Sequence, residues 1–363
     1  MRVGLDARML TYSGIGTYLR SLVSGLLDLP GEEDYLLFGK DAEVQGILRG
    51  RRNRGVTWKA GPYDPLSLFI NPINKSNVDL FHCPHYNMPF GIKQPRVITI
   101  HDLIHLVCPD LLTDRRAHWY ASRMLPSAAR RASHIITVSE YSKQDIVCHL
   151  GVSESKVTVV HHGVEEAFRP LSKDEVEGFR LSRGLPQRFV LFIGLLKPHK
   201  NIIRLLRAFS SLRIEDISLL LVGRKDNRYR ELDKALADET LRRNVFLLPS
   251  VPFGELPLLY NAAECLALPS LYEGFGLPAL EAMACGTPVV CSQTTSLPEV
   301  VGDSAILVDP FSVESIARGM KMILTDSAQG DGLRRKGIER AKSFRWLDAA
   351  ARTLRIYREV VNR

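Results

Sequence analysis

The segment Pro269-Ser-Leu-Tyr-Glu-Gly-Phe-Gly-Leu-Pro-Ala-Leu-Glu-Ala-Met-Ala-Cys-Gly-Thr-Pro-Val-Val290 admits very few folds. It leaves the apolar run Cys265 to Leu268, enters a loop with Gly274 and Gly276, and reaches Pro278, where a helix can begin. A first helical turn tolerates proline because the missing N–H would be unpaired there anyway. From Pro278 to Cys285 the residues are good helix formers, and Gly286 followed by Thr287-Pro288 is a stop signal. The predicted order is strand, glycine-rich loop, short helix, and a second strand at Val289-Val290.

This order places Glu273 in the loop at the carboxyl end of a strand and Glu281 in the first turn of the helix, so that two carboxylates face one crevice. Orphan N–H groups of the loop and helix start, together with the helix dipole, favour a diphosphate there. A carboxylate beside it suits a sugar diol, accepting from two hydroxyls at once. The pattern Glu273-x7-Glu281 within Glu-Gly-Phe-Gly-Leu-Pro resembles the donor-binding signature of the retaining glycosyltransferases of family four. The resemblance implies the GT-B fold, two Rossmann-like, doubly wound α/β domains facing a cleft. It also implies that Gly274, Phe275, Gly276 and Leu277 line the donor site, that Glu273 holds donor-sugar hydroxyls, and that Glu281 holds the ribose diol.

Along the chain, Met1 to Ala7 reads as a strand, followed by Tyr12-Ser-Gly-Ile-Gly-Thr-Tyr18 and a helix with Leu19, Leu22, Val23, Leu26 and Leu27 at helical spacing. Gly14 and Gly16 let backbone approach a ligand at the helix start. Leu19 stands where a dinucleotide fingerprint has its third glycine, which argues against a dehydrogenase; the loop resembles the glycine-rich acceptor and phosphate-side loop at the start of the GT-B N-terminal domain. Strands are predicted at Tyr35 to Phe38, Val56 to Lys59, Asp79 to His82, Arg96 to Ile100, Ser133 to Val138 and Val157 to Val164. Their alternation with helical stretches implies a mostly parallel sheet. His101-Asp102 ends one of these strands, where open α/β sheets bind ligands, and a histidine there can orient or protonate a substrate group. The resemblance gives His101 a contact to the donor sugar from the N-terminal domain. Ser139 begins a helix as a cap residue and also matches the family pattern.

Residues 171–187 read as a linker with a short helix between an acceptor-side domain, 1–170, and a nucleotide-sugar domain, 188–344. The tail 345–363 is an amphipathic helix that in the GT-B fold crosses back to the first domain. The second domain opens with the strand Arg188 to Ile193, turns at Gly194, and runs through Leu195-Leu-Lys-Pro-His-Lys-Asn201 into a helix. Lys200 is placed to offset the charge of a departing diphosphate, and Asn201 beside it faces the same crevice as Glu273 as a donor-binding residue. The sequence departs from the family in having Leu195 directly after Gly194 and His199 where the family has arginine. Lys197 and His199 are therefore the candidates for a second phosphate-binding cation. Arg224, after the strand Ser218 to Val222, faces the nucleotide side in relatives.

The chain of 363 residues is 45% hydrophobic and 24% charged, enough for two globular domains. No apolar stretch reaches the roughly 18 to 20 residues of a membrane span. The start reads as a strand rather than a signal peptide, so a cytoplasmic protein is expected. Six cysteines form no Cys-x-x-Cys pair, His82-Cys-Pro-His85 lacks a partner cluster, and no Asp-x-Asp occurs; neither metal nor other cofactor is expected. The net charge of +8 calls for an anionic partner. Arginines group at Arg49, Arg51, Arg52, Arg54 and at Arg115, Arg116, Arg123, Arg130, Arg131 without a nucleic-acid module, so nucleic acid is not the expected partner. The second group, near Trp119, Tyr120, Met124 and Leu125, suits peripheral docking on an anionic membrane surface.

The resulting expectation is transfer of a glycosyl group from a nucleotide sugar with retention, by front-face departure and attack as attributed to this fold. GDP-mannose is the favoured donor, on resemblance to O-antigen mannosyltransferases, with a lipid-linked glycan as acceptor in surface-polysaccharide synthesis. The alternatives are a UDP-sugar donor or, in a different class, a non-catalytic basic nucleic-acid-binding protein, whose affinity would fall steeply with salt.

Overall fold

The computed structural model describes residues 1–12, 14–48 and 53–363, so Ser13 and the basic residues Arg49, Arg51 and Arg52 lie outside the described residues. The chain divides into two compact units. The first comprises Met1–Leu106, Trp119–Gly163 and Arg345–Arg363; the second comprises Val107–His118 and Val164–Phe344. The helix Lys173–Ser182, closed by a capping box between Ser172 and Glu175, therefore counts with the second unit.

The first unit is built on β1 (Arg2–Asp6), β2 (Asp34–Gly39), β3 (Asn53–Thr57), β4 (Leu80–Cys83), β5 (Arg96–Thr99), β6 (His134–Thr137) and β7 (Val157–Val159). Among the described residues they form one parallel sheet in the order β3-β2-β1-β4-β5-β6-β7. The second unit repeats the plan with β8 (Phe189–Ile193), β9 (Ser218–Val222), β10 (Val245–Leu248), β11 (Cys265–Leu268), β12 (Val289–Ser292) and β13 (Ile306–Val308), ordered β10-β9-β8-β11-β12-β13. Central strands such as Phe189–Ile193 are buried throughout. Helices cover both faces of such sheets, and the strands read as unbroken apolar runs. Each sheet reverses its winding once, between β1 and β4 in the first unit and between β8 and β11 in the second. Ligands of open α/β sheets bind outside the carboxyl ends of strands at such reversals.

Two strands differ most from the sequence reading. β3 occupies Asn53–Thr57 rather than Val56 to Lys59, because pairing with β2, from Tyr35↔Asn53 to Gly39↔Thr57, recruits Arg54 and Gly55 despite their poor strand propensity. β7 stops at Val159, although the Val160 N–H still donates to the Thr137 carbonyl at 2.8 Å.

The C-terminal helix Trp346–Val361 packs in the first unit, where Ala350, Leu354 and Tyr357 join a core with Leu19, Leu22 and Leu26 of the helix Ile15–Asp28. Each such fully buried leucine contributes about 1.5–3 kcal/mol. A polar string runs through this core. The Tyr357 hydroxyl lies 2.5 Å from His82 Nδ1, His82 Nε2 lies 2.8 Å from Thr99 Oγ1, and that hydroxyl lies 2.9 Å from the Tyr18 hydroxyl. At the helix end Arg358 donates to Glu33 at 2.6 Å.

Candidate active site

At the winding reversal of the second unit, the loops leaving β8 and β11 meet. The Lys200 ammonium donates to Glu273 Oε1 at 2.6 Å, and the Ser270 hydroxyl donates to the same oxygen at 2.7 Å. Both charged side chains are largely enclosed, Lys200 at 14% and Glu273 at 11% exposure, so the pair is a fixed element rather than a surface ion pair. The Glu273 backbone is held as well, its N–H donating to Thr295 Oγ1 at 3.2 Å and its carbonyl accepting from the Ser296 hydroxyl at 2.9 Å.

Asn201 ties the two loops together. Its side-chain amide donates to the carbonyls of Pro269 at 2.9 Å and Pro310 at 2.7 Å, and Arg204 donates to its Oδ1 at 3.0 Å. Its backbone is left-handed, at φ 62°, a conformation asparagine tolerates better than most residues. The expectation of Asn201 as a ligand contact is thus replaced by a clamping role, since the buried amide is already engaged. His199 adds a second tie, its carbonyl accepting from the Leu271 N–H at 2.7 Å. Lys197 precedes the short 3-10 turn Pro198–Lys200 as its cap residue, and Arg224 is exposed beyond β9.

Two glycines fit only as glycine. A Cβ on Gly223, at φ 148°, would lie 1.8 Å from the Gly194 carbonyl oxygen, and one on Gly276, at φ 100°, would lie 2.5 Å from Leu297 Cδ2. Gly276 caps the helix Leu277–Ala284, in which Pro278 is the second residue. Gly274 and Phe275 are buried in the loop before it.

Glu281 stands in the second turn of this helix, not the first, and its partner is unforeseen. The Tyr260 hydroxyl donates to Glu281 Oε2 at 2.7 Å. Burial raises the carboxyl to about 7, opposed by the Tyr260 hydrogen bond and assisted by the nearby charge of Glu165. The two glutamates are therefore different reagents: Glu273 is paired with an ammonium, whereas Glu281 is poised between acid and carboxylate near neutrality. Tyr260 sits 21 positions upstream on another helix, and nothing in the sequence ties it to Glu281.

In the first unit His101 follows β5. Its ring lies 4.9 Å edge-on from Tyr18 and 5.6 Å from His162, nearly parallel to the latter. His101 Nε2 is 3.0 Å from the Pro84 carbonyl, which only accepts, so Nε2 carries the proton and Nδ1 is the acceptor. Burial lowers its pKa, and the neutral imidazole is suited to orienting a hydroxyl; protonating one, the other expected role, is disfavoured. Ser139 is buried and caps the helix Glu140–Leu150 by accepting from the Ser142 N–H, while the Ser142 hydroxyl donates to the His101 carbonyl. Gly16 is a packing residue, since a Cβ there would lie 2.4 Å from the Leu10 carbonyl; Gly14, at φ 75°, borders open space. Among the described residues no group of three or more His, Cys, Asp or Glu side chains is placed to hold a metal ion.

The helix Arg115–Arg131 sorts its residues by face. Arg115, Arg116, Arg123, Arg130 and Trp119 are exposed, whereas Met124 and Leu125 are buried. Arg131 donates to the Pro89 and Met88 carbonyls at 2.8 and 3.1 Å and so belongs to the scaffold. Among the described residues no helix is long and apolar enough to cross a membrane.

Comparison with known proteins agrees with this architecture. The model of the glycosyl transferases group 1 matches residues 175–344, and that of glycosyltransferase family 4 matches residues 12–168. O-antigen chain mannosyltransferase B of Escherichia coli is 32% identical over 286 residues, 77% of this chain and 74% of that protein. MMP alpha-(1->4)-mannosyltransferase of Mycolicibacterium hassiacum is 33% identical over 368 residues, 93% and 85% of the respective chains. The structure of sucrose-phosphate synthase from Thermosynechococcus elongatus superposes with a TM-score of 0.79 at 22% identity over 99% of each chain. Anabaena HepE, solved with UDP and glucose, gives 0.79 at 18% identity over 99% and 100%. With two parallel α/β units of this topology and these relatives, the chain belongs to the family 4 glycosyltransferases of the GT-B fold.

Proposed function

We propose that this glycosyltransferase moves mannose from GDP-mannose, with retention and without a required metal, to a lipid-linked glycan during surface-polysaccharide assembly. The observation that carries the reading is the enclosed Lys200–Glu273 pair at the winding reversal of the second unit. It offers a cation for the diphosphate and a carboxylate for sugar hydroxyls side by side, fixed before a ligand arrives. Preorganised charge aimed at a leaving group that gains negative charge lowers the barrier without reorganisation. Glu281 takes the ribose diol, and neutral His101 orients a sugar hydroxyl through Nδ1. The mannose assignment is supported by relatives that are mannosyltransferases. A UDP-sugar donor is the second reading, favoured by the complex of HepE with UDP-glucose.

A nucleotide-sugar panel read by thermal shift tests both readings. GDP-mannose at about 100 times its dissociation constant stabilises by about 2.7 kcal/mol. A shift with UDP-glucose and none with GDP-mannose transfers the assignment to the second reading. The same assay run against pH probes Glu281. A diol binds the carboxylate, and the free carboxyl titrates at about 7, so donor affinity should rise as pH increases through 7 and weaken by close to tenfold per unit below it. Glu281→Gln should abolish that dependence; a wild-type affinity flat from pH 6 to 8 removes Glu281 from the ribose.

The exposed arginines of the helix Arg115–Arg131, with Arg123 lying 4.2 Å over the half-exposed Trp119 ring, support peripheral docking at the inner membrane face. Co-sedimentation with anionic vesicles should occur at low salt and be lost at high salt. Absence of binding at low salt points to a soluble acceptor.

A further inference from the structure

The two oxygens of Glu281 are not equivalent. Oε2 accepts from the Tyr260 hydroxyl at 2.7 Å, and among the described residues this is the one hydrogen bond of the carboxylate, so Oε1 has no partner within the chain. Glu281 is partly exposed, whereas Tyr260 is 0% exposed. A glutamate held at one oxygen gives up the freedom of its rotatable bonds before a ligand arrives rather than on binding.

Tyr260 can hold Glu281 because it is itself held. The Thr287 hydroxyl donates to the Tyr260 carbonyl at 2.6 Å, and the Tyr260 ring meets that of Phe168 edge-on at 5.9 Å. The next residue, Asn261, fastens the same short helix, Leu256–Ala262, to the segment after Phe168. Its amide donates to the Arg169 carbonyl at 2.9 Å, and its Oδ1 accepts from the Leu171 N–H at 2.9 Å. The phenol therefore reaches Glu281 from a backbone that is tied on both sides.

Few charges compete for the carboxylate. Glu165 acts on it from the segment before Phe168. On its own helix the Cys285 thiol is pushed up to about 12 by burial and by Glu281, so it stays neutral, and the strands β11 and β12 offer only the thiols of Cys265 and Cys291, also pushed up to about 12 by burial. The helices Leu297–Val301 and Ser327–Ala341 carry Glu299 and Arg334; Arg334 donates to the Gly286 carbonyl at 3.0 Å, and neither charge acts on Glu281. The Tyr260 hydroxyl, its ionisation pushed well above the usual phenol range by burial and by Glu281, only donates. A hydrogen bond to a charged form favours that form, so this donor opposes burial and Glu165, which both favour the acid. We propose that Tyr260 is a positioning residue of the nucleotide site: it fixes the Glu281 carboxylate in one rotamer, with Oε1 presented to the ribose hydroxyls, and holds it in the ionised state that accepts from them. Tyr260 acts through Glu281 alone, and its role rests on the assignment of Glu281 to the ribose.

Titration calorimetry of the full chain with GDP and with UDP, from pH 6 to 8.5, tests this. In the wild type the affinity for whichever nucleotide binds should rise through pH 7. Tyr260→Phe keeps the ring and removes the hydrogen bond, so the midpoint should move up by about one pH unit. Affinity at pH 6.5 should then fall about tenfold, and the difference from wild type should shrink to a few-fold at pH 8.5. Glu281→Gln should be flat with pH, with or without Tyr260→Phe, and the 2′,3′-dideoxy nucleotide should show no pH dependence in wild type or Tyr260→Phe. A Tyr260→Phe midpoint that stays at the wild-type value, however far its Tm falls, reduces Tyr260 to packing and overturns the proposal. Should Tyr260→Phe not fold, the wild-type chain made with 3-fluorotyrosine gives the test with opposite sign. Its more acidic phenol is the stronger donor, so the midpoint should move down, and an unmoved midpoint overturns the proposal equally. A wild-type affinity flat over the whole range, or a dideoxy nucleotide that keeps the full dependence, removes Glu281 from the ribose and the role of Tyr260 with it. Binding of neither nucleotide overturns the donor reading itself, and the proposal falls too.

Discussion

Glu273→Gln should lower turnover by about two to three orders of magnitude, the scale seen when one preorganised polar contact to a transition state is removed. The carboxylate accepts from Ser270 and Lys200 on one oxygen, and both partners are positioned by backbone ties from the loops leaving β8 and β11. Glutamine keeps an acceptor for Ser270 while removing the charge and turning the other oxygen into an N–H donor, so the loop should hold its shape. The loss should therefore fall on kcat, with the donor KM changed far less, and Lys200→Met should produce the same split from the other side of the pair. Wild-type kcat in Glu273→Gln with the preferred donor would remove the pair from the chemistry.

Acid should unfold the first unit before the second. Burial holds His82 and His85 neutral, each with its pKa lowered to about 3 from an ordinary 6.5, and lowers His101 and His162 as well. A histidine depressed in the folded state contributes its full stability above pH 6.5 and loses it as pH falls toward 3, because the unfolded chain takes up protons that the folded one refuses. Each such group removes on the order of 1 kcal/mol per pH unit. In the second unit Glu281 has the opposite sign: its raised pKa favours the folded state as pH falls below 7. All three tryptophans, Trp58, Trp119 and Trp346, belong to the first unit, so their fluorescence reports that unit alone. A fluorescence transition between pH 6 and 4 should precede the loss of helical circular dichroism. His82→Gln should cost about 1–3 kcal/mol at pH 7.5 by breaking the Tyr357–His82–Thr99 string, and should flatten the acid slope. Coincident transitions by both probes would show that these histidines do not set the acid limit.

Much of the site is legible along the chain because its signals are local. Pro278 and Gly286 punctuate a helix that spans Leu277–Ala284, and the glycines before it mark a loop at the end of a buried strand. The apolar runs at Arg188 to Ile193 and Cys265 to Leu268 are strands because a parallel sheet covered on both faces needs nothing else from its side chains. Lys200 and Glu273 could each be assigned to such a loop end from its own neighbourhood.

Which groups meet, and in what protonation state, is a different matter. Lys200 and Glu273 are 73 residues apart, and His82 and Tyr357 are 275 apart. Only the strand order, with β8 beside β11, brings the first pair together, and only the return of the C-terminal helix brings the second. Asn201 reads as a ligand contact until the carbonyls of Pro269 and Pro310 are seen to occupy its amide. His101 reads as acid or orienting group until the Pro84 carbonyl and the surrounding rings make it a neutral acceptor. Glu281 becomes a group titrating near 7 through burial beside Tyr260, a property of its surroundings rather than of its residue type. Backbone preference and hydrophobic period act over a few residues, so the order of elements is written locally. Charge, hydrogen bonding and desolvation act over a few ångströms of space, and distant segments become neighbours at that range only once the sheets have formed.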